Sequence, residues 1–217
     1  MAGRAIYIEI GAYLGSNVKR FFSKTQQADR FQVYAFEPHP ENFKVLVDTV
    51  NANGWHNITC INKALTRKNS TMRLYVANDL LCKRASAYES KVSGELQAYR
   101  AIDVETINFD EWFVENTRAE DIVFMTINCE GGEYDLMTSI VETGTLGRIK
   151  SLNIKLHEHK VSEGTLRNTM INKKDKFLRE VDKHKYWVDT MCKYRTNHGD
   201  RKMTDMVMSL TAINDKK

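Results

Sequence analysis

The chain has 217 residues, of which 42% are hydrophobic, and this is enough to bury the core of one α/β domain. Its net charge of +4 neither requires nor excludes an anionic partner. Its 4 cysteines include no C-x-x-C pair, which argues against a zinc cage or a disulfide framework, and no apolar stretch is long enough to span a membrane. We therefore expect a single cytoplasmic domain over residues 1–217 with reduced thiols.

Apolar runs and helical periodicity alternate along the chain. They predict strands at 5–10, 31–37, 58–65, 72–76, 121–128 and 149–157, and helices at about 16–23, 40–53, 133–143 and 165–185. Ser16 and Asn17 are expected to cap the first helix, and residues 104–107 to lead into another short helix. Residues 186–194 and 203–212 indicate an antiparallel hairpin. The order predicts a Rossmann-like, doubly wound α/β sheet, mostly parallel, with this hairpin at its C-terminal end.

A glycine turn follows the first predicted strand, in the spacing E-x-G-x-x-x-G from Glu9 through Gly11 to Gly15. Gly11 permits a sharp bend and Gly15 permits close packing of the next helix. The spacing suits S-adenosylmethionine (SAM) better than a dinucleotide, because a carboxylate such as Glu9 complements the positive charges of SAM. The alternative is an ordinary strand–helix turn without a ligand.

A second acid, Glu37, ends the apolar run 33–36 of the next predicted strand. A carboxylate in this position can accept hydrogen bonds from both hydroxyls of a ribose. The alternative is a solvated surface acid. With the glycine turn upstream, Glu37 favours a nucleotide-type crevice.

Polar residues also follow the two central strands. Asn128 and Glu130 are expected to face the crevice, although a strand end and helix cap is the alternative, above all for Glu133. Strand alternation predicts Asn153, Lys155, His157 and His159 on one face. His157 is the candidate base for a substrate hydroxyl, with a structural histidine as the alternative.

Two further expectations concern metal and substrate. Glu130, Glu158, His157 and His159 can also hold a divalent metal, but their spacing is not diagnostic. The stretch 79–100 has mixed charge and little periodicity, so a loop that closes over the substrate is expected there. Tyr88 and Tyr99 are its candidate stacking rings.

Over most of residues 6–160 the chain resembles the FkbM family of SAM-dependent methyltransferases. The resemblance is carried by Ile8–Gly15, by the most specific stretch Val33–Phe43, by Asn62–Leu65, Val104–Glu111 and Ile127–Glu133, and by Leu156–His159. It implies a class I methyltransferase fold and O-methylation of a sugar or glycan hydroxyl. One departure is that family members usually carry Asp where this chain has Asn128.

The residue patterns and the resemblance together give a set of expected site residues. The expected cofactor-binding residues are Glu9, Gly11, Ala12, Tyr13, Gly15, Ser16, Asn17, Glu37, Pro38, Asn62 and Ala64. The expected catalytic residues are His157, Glu130 and Asn128, and the expected substrate-binding residues are Tyr88, Lys155 and His159. With a sugar as the implied acceptor, Tyr88 and Tyr99 are candidate sugar-stacking rings.

Three other functions compete with this interpretation. A nicotinamide oxidoreductase shares the strand–turn–helix start, but G-x-G-x-x-G is absent here. A methyltransferase that acts on nucleic acid or on another small molecule would share the cofactor. The sequence has no Asn-Pro-Pro-aromatic run, which is typical of nucleic-acid methyltransferases, so nucleic acid is not the expected partner. Asn128 also leaves open a SAM-binding module without turnover.

Overall fold

The computed structural model describes residues 3–77, 85–87, 99–158, 161, 163–184, 186–197 and 200–212. The strands in these ranges are Ala5–Ile10 (β1), Phe31–Phe36 (β2), Ile58–Ile61 (β3), Ala64–Thr66 (β4), Ser70–Ala77 (β5), Tyr99–Asn108 (β6), Ile122–Ile127 (β7), Ile149–Leu156 (β8), Tyr186–Asn197 (β9) and Asp200–Ala212 (β10). The α-helices are Ser16–Lys24 (α1), Pro40–Ala52 (α2), Phe109–Asn116 (α3), Glu133–Glu142 (α4) and Thr165–Lys183 (α5). In this described part of the chain, no helix is both long and apolar enough to cross a bilayer.

A seven-stranded sheet in the order β3-β2-β1-β7-β8-β10-β9 forms the centre of the fold. Its first five strands are parallel, and β10 pairs antiparallel with both β8 and β9. This confirms the predicted doubly wound, mostly parallel sheet with its C-terminal hairpin. A smaller three-stranded sheet has the order β4-β6-β5.

Helices pack on both faces of the large sheet because its strands alternate between two apolar clusters. Phe36 of β2 belongs to the main core with α3, α4 and α5, whereas its neighbour Ala35 belongs to the cluster that Val18 of α1 and Leu46 of α2 complete. Adjacent strand residues point to opposite faces, so the two clusters lie on opposite sides of the sheet.

The chain reverses its direction of winding at β1. From β1 it proceeds outward to β2 and β3, and it then returns to place β7 on the other side of β1. The carboxyl ends of β1 and β7 therefore form a topological switch point, which is where open α/β sheets bind ligands. Gly11 and Asn128 come directly after these two strands.

Two local predictions are wrong. The stretch 58–65 is two short strands, β3 and β4, which belong to different sheets. Gly15 occupies the cap position of α1 without a side-chain cap, so neither Ser16 nor Asn17 caps that helix. Pairing with different neighbouring strands decided the first case, and such pairing is not visible in a local pattern. Residues 104–107 do lead into a short helix, because they lie at the end of strand β6 and α3 begins directly after it, at Phe109.

Candidate active site

The turn after β1 requires a glycine at its first position. Gly11 has φ +81°, and a Cβ atom placed there would lie 2.1 Å from the carbonyl oxygen of Asn128. The amides of Gly11 and Ala12 both donate to the carbonyl of Phe36 at 2.9 Å, and the amide of Asn128 donates to Ile10 at 2.8 Å. The ends of β1, β2 and β7 are therefore joined at this turn, and the backbone of each is brought close to the others.

The remainder of the turn connects it to β2. Tyr13 has φ 53°, in the left-handed region, and its amide donates to Oε2 of Glu37 at 2.8 Å. A Cβ atom at Gly15 would lie 3.0 Å from Leu46, so this glycine serves the packing of α1 on α2. Ala12 is buried and Ser16 is exposed at the start of α1. Tyr13 thus links the turn directly to the predicted ribose-binding acid.

Glu9 lies beneath the turn and is fully buried. Its carboxyl group accepts hydrogen bonds from the hydroxyl of Tyr7 and from Nδ2 of Asn17, the latter at 2.9 Å. Burial raises the pKa of Glu9 to about 7, although both hydrogen bonds oppose this shift. The structure places Glu9 and Asn17 in contact, on the side of the turn that faces α1.

Glu37 follows β2 and is 5% exposed. Its Oε1 accepts hydrogen bonds from the amide of His39 at 3.0 Å and from Nδ2 of Asn42 at 3.4 Å. Burial raises its pKa in spite of these hydrogen bonds. Asn62 supports the same segment, because its Nδ2 donates to the carbonyls of Glu37 at 2.8 Å and of Pro38 at 3.2 Å.

A small cavity of about 190 Å³ opens between the ends of these strands. Gly11, Pro38, Ala64 and Cys129 are among the residues that line it. Three of the four were predicted cofactor contacts, from three separate parts of the sequence. The cavity is too small for a complete nucleotide, but it can hold the flat, largely apolar base of one.

Asn128 is the first residue after β7, and it lines a second and larger cavity. Its Oδ1 is buried and has no hydrogen-bond partner among the residues that the structure describes. The next residue, Cys129, lines the small cavity. Consecutive residues at the switch point therefore line two different cavities.

His157 lies between two carboxylates. Its Nδ1 is 2.9 Å from Oε1 of Glu133, and its Nε2 is 3.2 Å from Oε1 of Glu130. Burial acts to lower the pKa of His157, but attraction to Glu133 and the contacts with both carboxylates outweigh it, so that the pKa is raised. The imidazolium form therefore persists to higher pH than in a free histidine.

His157 does not share a face with Asn153 and Lys155, contrary to the prediction from alternation. The strand β8 ends at Leu156, and the chain then turns His157 into the buried space beside α4. Alternation describes side-chain direction only as far as the strand continues.

Sequence reasoning gave Glu133 only a possible capping role and gave Tyr134 none, yet both residues hold this cluster. Glu133 is fully buried, and its Oε2 accepts a hydrogen bond from the amide of Gly131 at 2.7 Å. The hydroxyl of Tyr134 accepts from the amides of His157 at 3.1 Å and Glu158 at 2.8 Å, and it donates to the Glu158 carboxylate. The spacing of two acids around Gly131 was the available signal for Glu133, whereas nothing in the sequence distinguishes Tyr134 from an ordinary helix residue.

The larger cavity is a groove of about 850 Å³ across the face of β1, β7 and β8 that α1 leaves open. Polar side chains line its floor, among them Asn128, Asn153 and Lys155. At one end, the ring of Tyr7 stacks on that of Phe21 with their centroids 4.2 Å apart. Such a lining suits a ligand with many hydroxyl groups and some apolar faces.

Two predicted substrate residues, Tyr88 and His159, lie outside the described residues, as does most of the stretch 79–100. Tyr99 begins β6. No group of three or more His, Cys, Asp or Glu side chains in the described part of the chain is arranged to hold a metal ion.

Comparison with known proteins gives a family and a fold. A family model described as "Methyltransferase FkbM domain" matches residues 9–199. No curated protein matches the sequence. The structure is similar to that of a methyltransferase FkbM from Methylobacillus flagellatus, with a TM-score of 0.55 and 12% identity, covering 96% of this chain and 43% of that one.

Two other structures share the fold. A putative rRNA methylase from Clostridium thermocellum has a TM-score of 0.53 and 7% identity over 98% of this chain and 89% of its own. An rRNA methylase from Streptococcus thermophilus has a TM-score of 0.51 and 9% identity over 99% and 91%. The family match and the shared sheet show that this chain belongs to the FkbM family of SAM-dependent methyltransferases, with a class I methyltransferase fold.

Proposed function

We propose that this protein is an O-methyltransferase that transfers the methyl group of SAM to a hydroxyl of a sugar or glycan. The observation that carries the proposal is the unpartnered Oδ1 of Asn128, a buried hydrogen-bond acceptor that lines the groove at the end of β7, for which the described residues supply no donor. A buried acceptor without a partner is costly, and a ligand hydroxyl or amine would satisfy it. Free thiols at Cys60 and Cys129 support a cytoplasmic setting.

The residues present fit SAM in three respects. Gly11 lines the small cavity and carries no side chain, so its backbone can approach a ligand closely. Glu37 stands at the tip of β2, where a ribose is expected, and the small cavity beside Pro38 and Ala64 suits the adenine ring. We propose that Gly11, Tyr13, Glu37, Pro38 and Ala64 are the principal cofactor residues.

The remaining predicted cofactor residues are proposed to hold these direct contacts in position and not to touch the cofactor themselves. Glu9 and Asn17 form the layer below the turn, and Asn62 holds the backbone of Glu37 and Pro38. Ala12, Gly15 and Ser16 shape the turn and the start of α1. This division predicts that Glu37 variants lose cofactor affinity directly, whereas Glu9 variants lose it through stability.

The acceptor is proposed to extend along the groove, over Lys155, to Asn128 at the end of β7, so that its reacting hydroxyl lies beyond that strand end, beside Glu130. When bound, SAM supplies an electrophilic methyl group. Asn128 would accept a hydrogen bond from a neighbouring hydroxyl of the acceptor and so orient the reacting oxygen, whose single proton stays available to the base. Among the three groups of the cluster, Glu130 is proposed to take the proton, because its side chain is 16% exposed while those of His157 and Glu133 are 2% and 0% exposed.

His157 stays in the proposed catalytic set as the partner of Glu130. Its imidazolium form, held by Glu133, would keep the Glu130 carboxylate in place until that group takes the proton. Loss of a general base costs roughly 10²–10⁴-fold in rate. Glu130→Gln is therefore expected to lower kcat by that amount with an unchanged Kd for SAM, and Glu142→Gln on the outer side of α4 serves as the control.

The first experiment is calorimetric titration with SAM, S-adenosylhomocysteine and NADH, followed by transfer from labelled SAM to a panel of sugars, glycans and nucleic acids. Binding of the first two ligands with label in a sugar hydroxyl is the expected result. Label in RNA or DNA alone would replace the acceptor with nucleic acid. Cofactor binding with no transfer to any acceptor would favour a non-catalytic module.

A further inference from the structure

His39 occupies the cap position of α2, two residues after Glu37, and its side chain is almost completely buried. Its Nδ1 accepts a hydrogen bond from the amide of Asn42 at 3.4 Å. A ring nitrogen that accepts carries no proton, so the proton of the neutral ring is on Nε2. Burial and the nearby positive charge of Arg100 lower the pKa of His39, which keeps the ring neutral. The ring therefore presents one hydrogen-bond donor, the Nε2–H group.

This donor has no partner among the described residues, although the atom is buried. Buried donors in folded proteins are nearly always paired, and an exception calls for an explanation such as a ligand. The helix cap accounts for the hydrogen bond at Nδ1, but it provides no acceptor for the proton on Nε2.

The surroundings of His39 indicate which ligand atom would pair with it. The amide of His39 and the side chain of Asn42 both donate to Oε1 of Glu37, and the ring of His39 in turn accepts from the amide of Asn42, so His39 adjoins the carboxylate through its backbone and through Asn42. A ribose hydroxyl both donates and accepts a hydrogen bond. It can donate to Glu37 and accept from His39, and the N-terminus of α2 favours an electronegative atom there.

We propose that His39 is a further cofactor-binding residue, whose Nε2–H donates to a hydroxyl oxygen of the cofactor ribose. The proposal rests on the proposed function, because it takes the ligand at Glu37 to be SAM. In this arrangement His39 donates to a hydroxyl of the ribose diol and Glu37 accepts from the diol. A deoxyribose lacks one of these hydroxyls, so the site selects ribose over deoxyribose.

The test compares variants that separate the cap from the donor. Asn is a good cap residue, so His39→Asn keeps an acceptor for the amide of Asn42 and removes the distal N–H group. Calorimetry with S-adenosylhomocysteine and its 2′-deoxy and 3′-deoxy analogues gives Kd values that do not depend on turnover. Thermal unfolding of each variant checks that the fold is kept.

Loss of one hydrogen bond that leaves an unpaired buried group weakens binding by about tenfold. We expect this loss for S-adenosylhomocysteine in His39→Asn at an unchanged Tm. We also expect one of the two deoxy analogues to bind wild-type protein more weakly but to lose little further affinity in the variant. Equal affinity of wild type and His39→Asn for S-adenosylhomocysteine, or an equal loss of affinity for all three ligands, would overturn the role of His39. The proposed cofactor site would still stand in that case. If wild-type protein binds none of the ligands, the cofactor site itself is wrong and the role of His39 falls with it.

Discussion

At the scale of single residues, the close approach of two strand ends explains why the turn after β1 has a glycine at position 11. A Cβ atom at Gly11 would meet the carbonyl of Asn128, whereas one at Gly54, another glycine with positive φ, would have no described atom within 4 Å. The two positions share the cost of a left-handed backbone but differ in available space. Substitutions at Gly11 and Gly54 therefore distinguish the energetic cost of a left-handed backbone from the cost of a steric overlap.

We predict that Gly54→Ala lowers the free energy of unfolding by about 1–2 kcal/mol, the cost of a left-handed alanine. Gly11→Ala adds a steric overlap, and we expect a loss of at least about 3 kcal/mol. Urea denaturation measures both. Equal losses at the two positions would show that the ends of β1 and β7 are not in contact.

Glu9 predicts a pH dependence of stability. Its pKa is about 7 in the folded protein, above the value of 4.5 for an unperturbed glutamate. Between these values the unfolded chain releases a proton that the folded protein keeps, so the stability contributed by the protonated form is complete below pH 4.5 and is lost as the pH rises through 7.

The loss reaches about 3 kcal/mol above pH 7. Glu9→Gln removes the titrating group, and we expect a flatter dependence of the unfolding free energy on pH between about 5 and 8. Chemical denaturation over that range measures it, with Glu142→Gln as the control. Parallel curves for wild type and Glu9→Gln would contradict the assignment.

At the scale of elements, the end of β8 is held between α4 and α5. Tyr134 of α4 receives the two backbone amides that follow β8, and Lys174 of α5 pairs with the Glu158 carboxylate. Helix α4 thus supplies the acceptor for the backbone amides of His157 and Glu158, and helix α5 supplies the positive charge that pairs with the Glu158 carboxylate. This contact explains why the chain turns inward at His157.

We predict that Tyr134→Phe lowers the free energy of unfolding by about 2 kcal/mol or more, because two buried amides lose their acceptor. Thr138→Val on the same helix is the matched control, since among the described residues its hydroxyl donates to the carbonyl of Tyr134 and holds no strand backbone. We expect less than about 1 kcal/mol there. A similar small effect at both positions, measured by urea denaturation, would exclude this role of the Tyr134 hydroxyl.

At the scale of the whole molecule, the proposed site draws residues from three strands that end at the same edge of the sheet. Gly11 follows β1, Glu37 follows β2 and Asn128 follows β7. A ligand that needs all three binds only where these strands are assembled, so its binding adds to the free energy of unfolding. The chain spans 43% of the length of the methyltransferase FkbM from Methylobacillus flagellatus.

We predict that S-adenosylhomocysteine at about 100 times its Kd stabilises the protein by about 2.7 kcal/mol. For a chain of this size the Tm should rise by roughly 5–10 °C. Thermal unfolding with and without ligand measures the shift, and NADH at the same concentration should leave the Tm unchanged. A shift with NADH alone would contradict the cofactor assignment.

Local sequence patterns were sufficient to predict the large sheet and the order of its elements, because apolar runs and glycine turns are features that the chain must satisfy wherever it folds. They also located Gly11, Glu37 and Asn128, since each directly follows a buried strand. Tertiary contacts decided how β3 and β4 divide between two sheets, where His157 points, and which carboxylates surround it. Those features depend on residues far apart in the chain, such as Gly11 with Asn128 and Glu133 with His157. Local periodicity carries no information about such distant pairs.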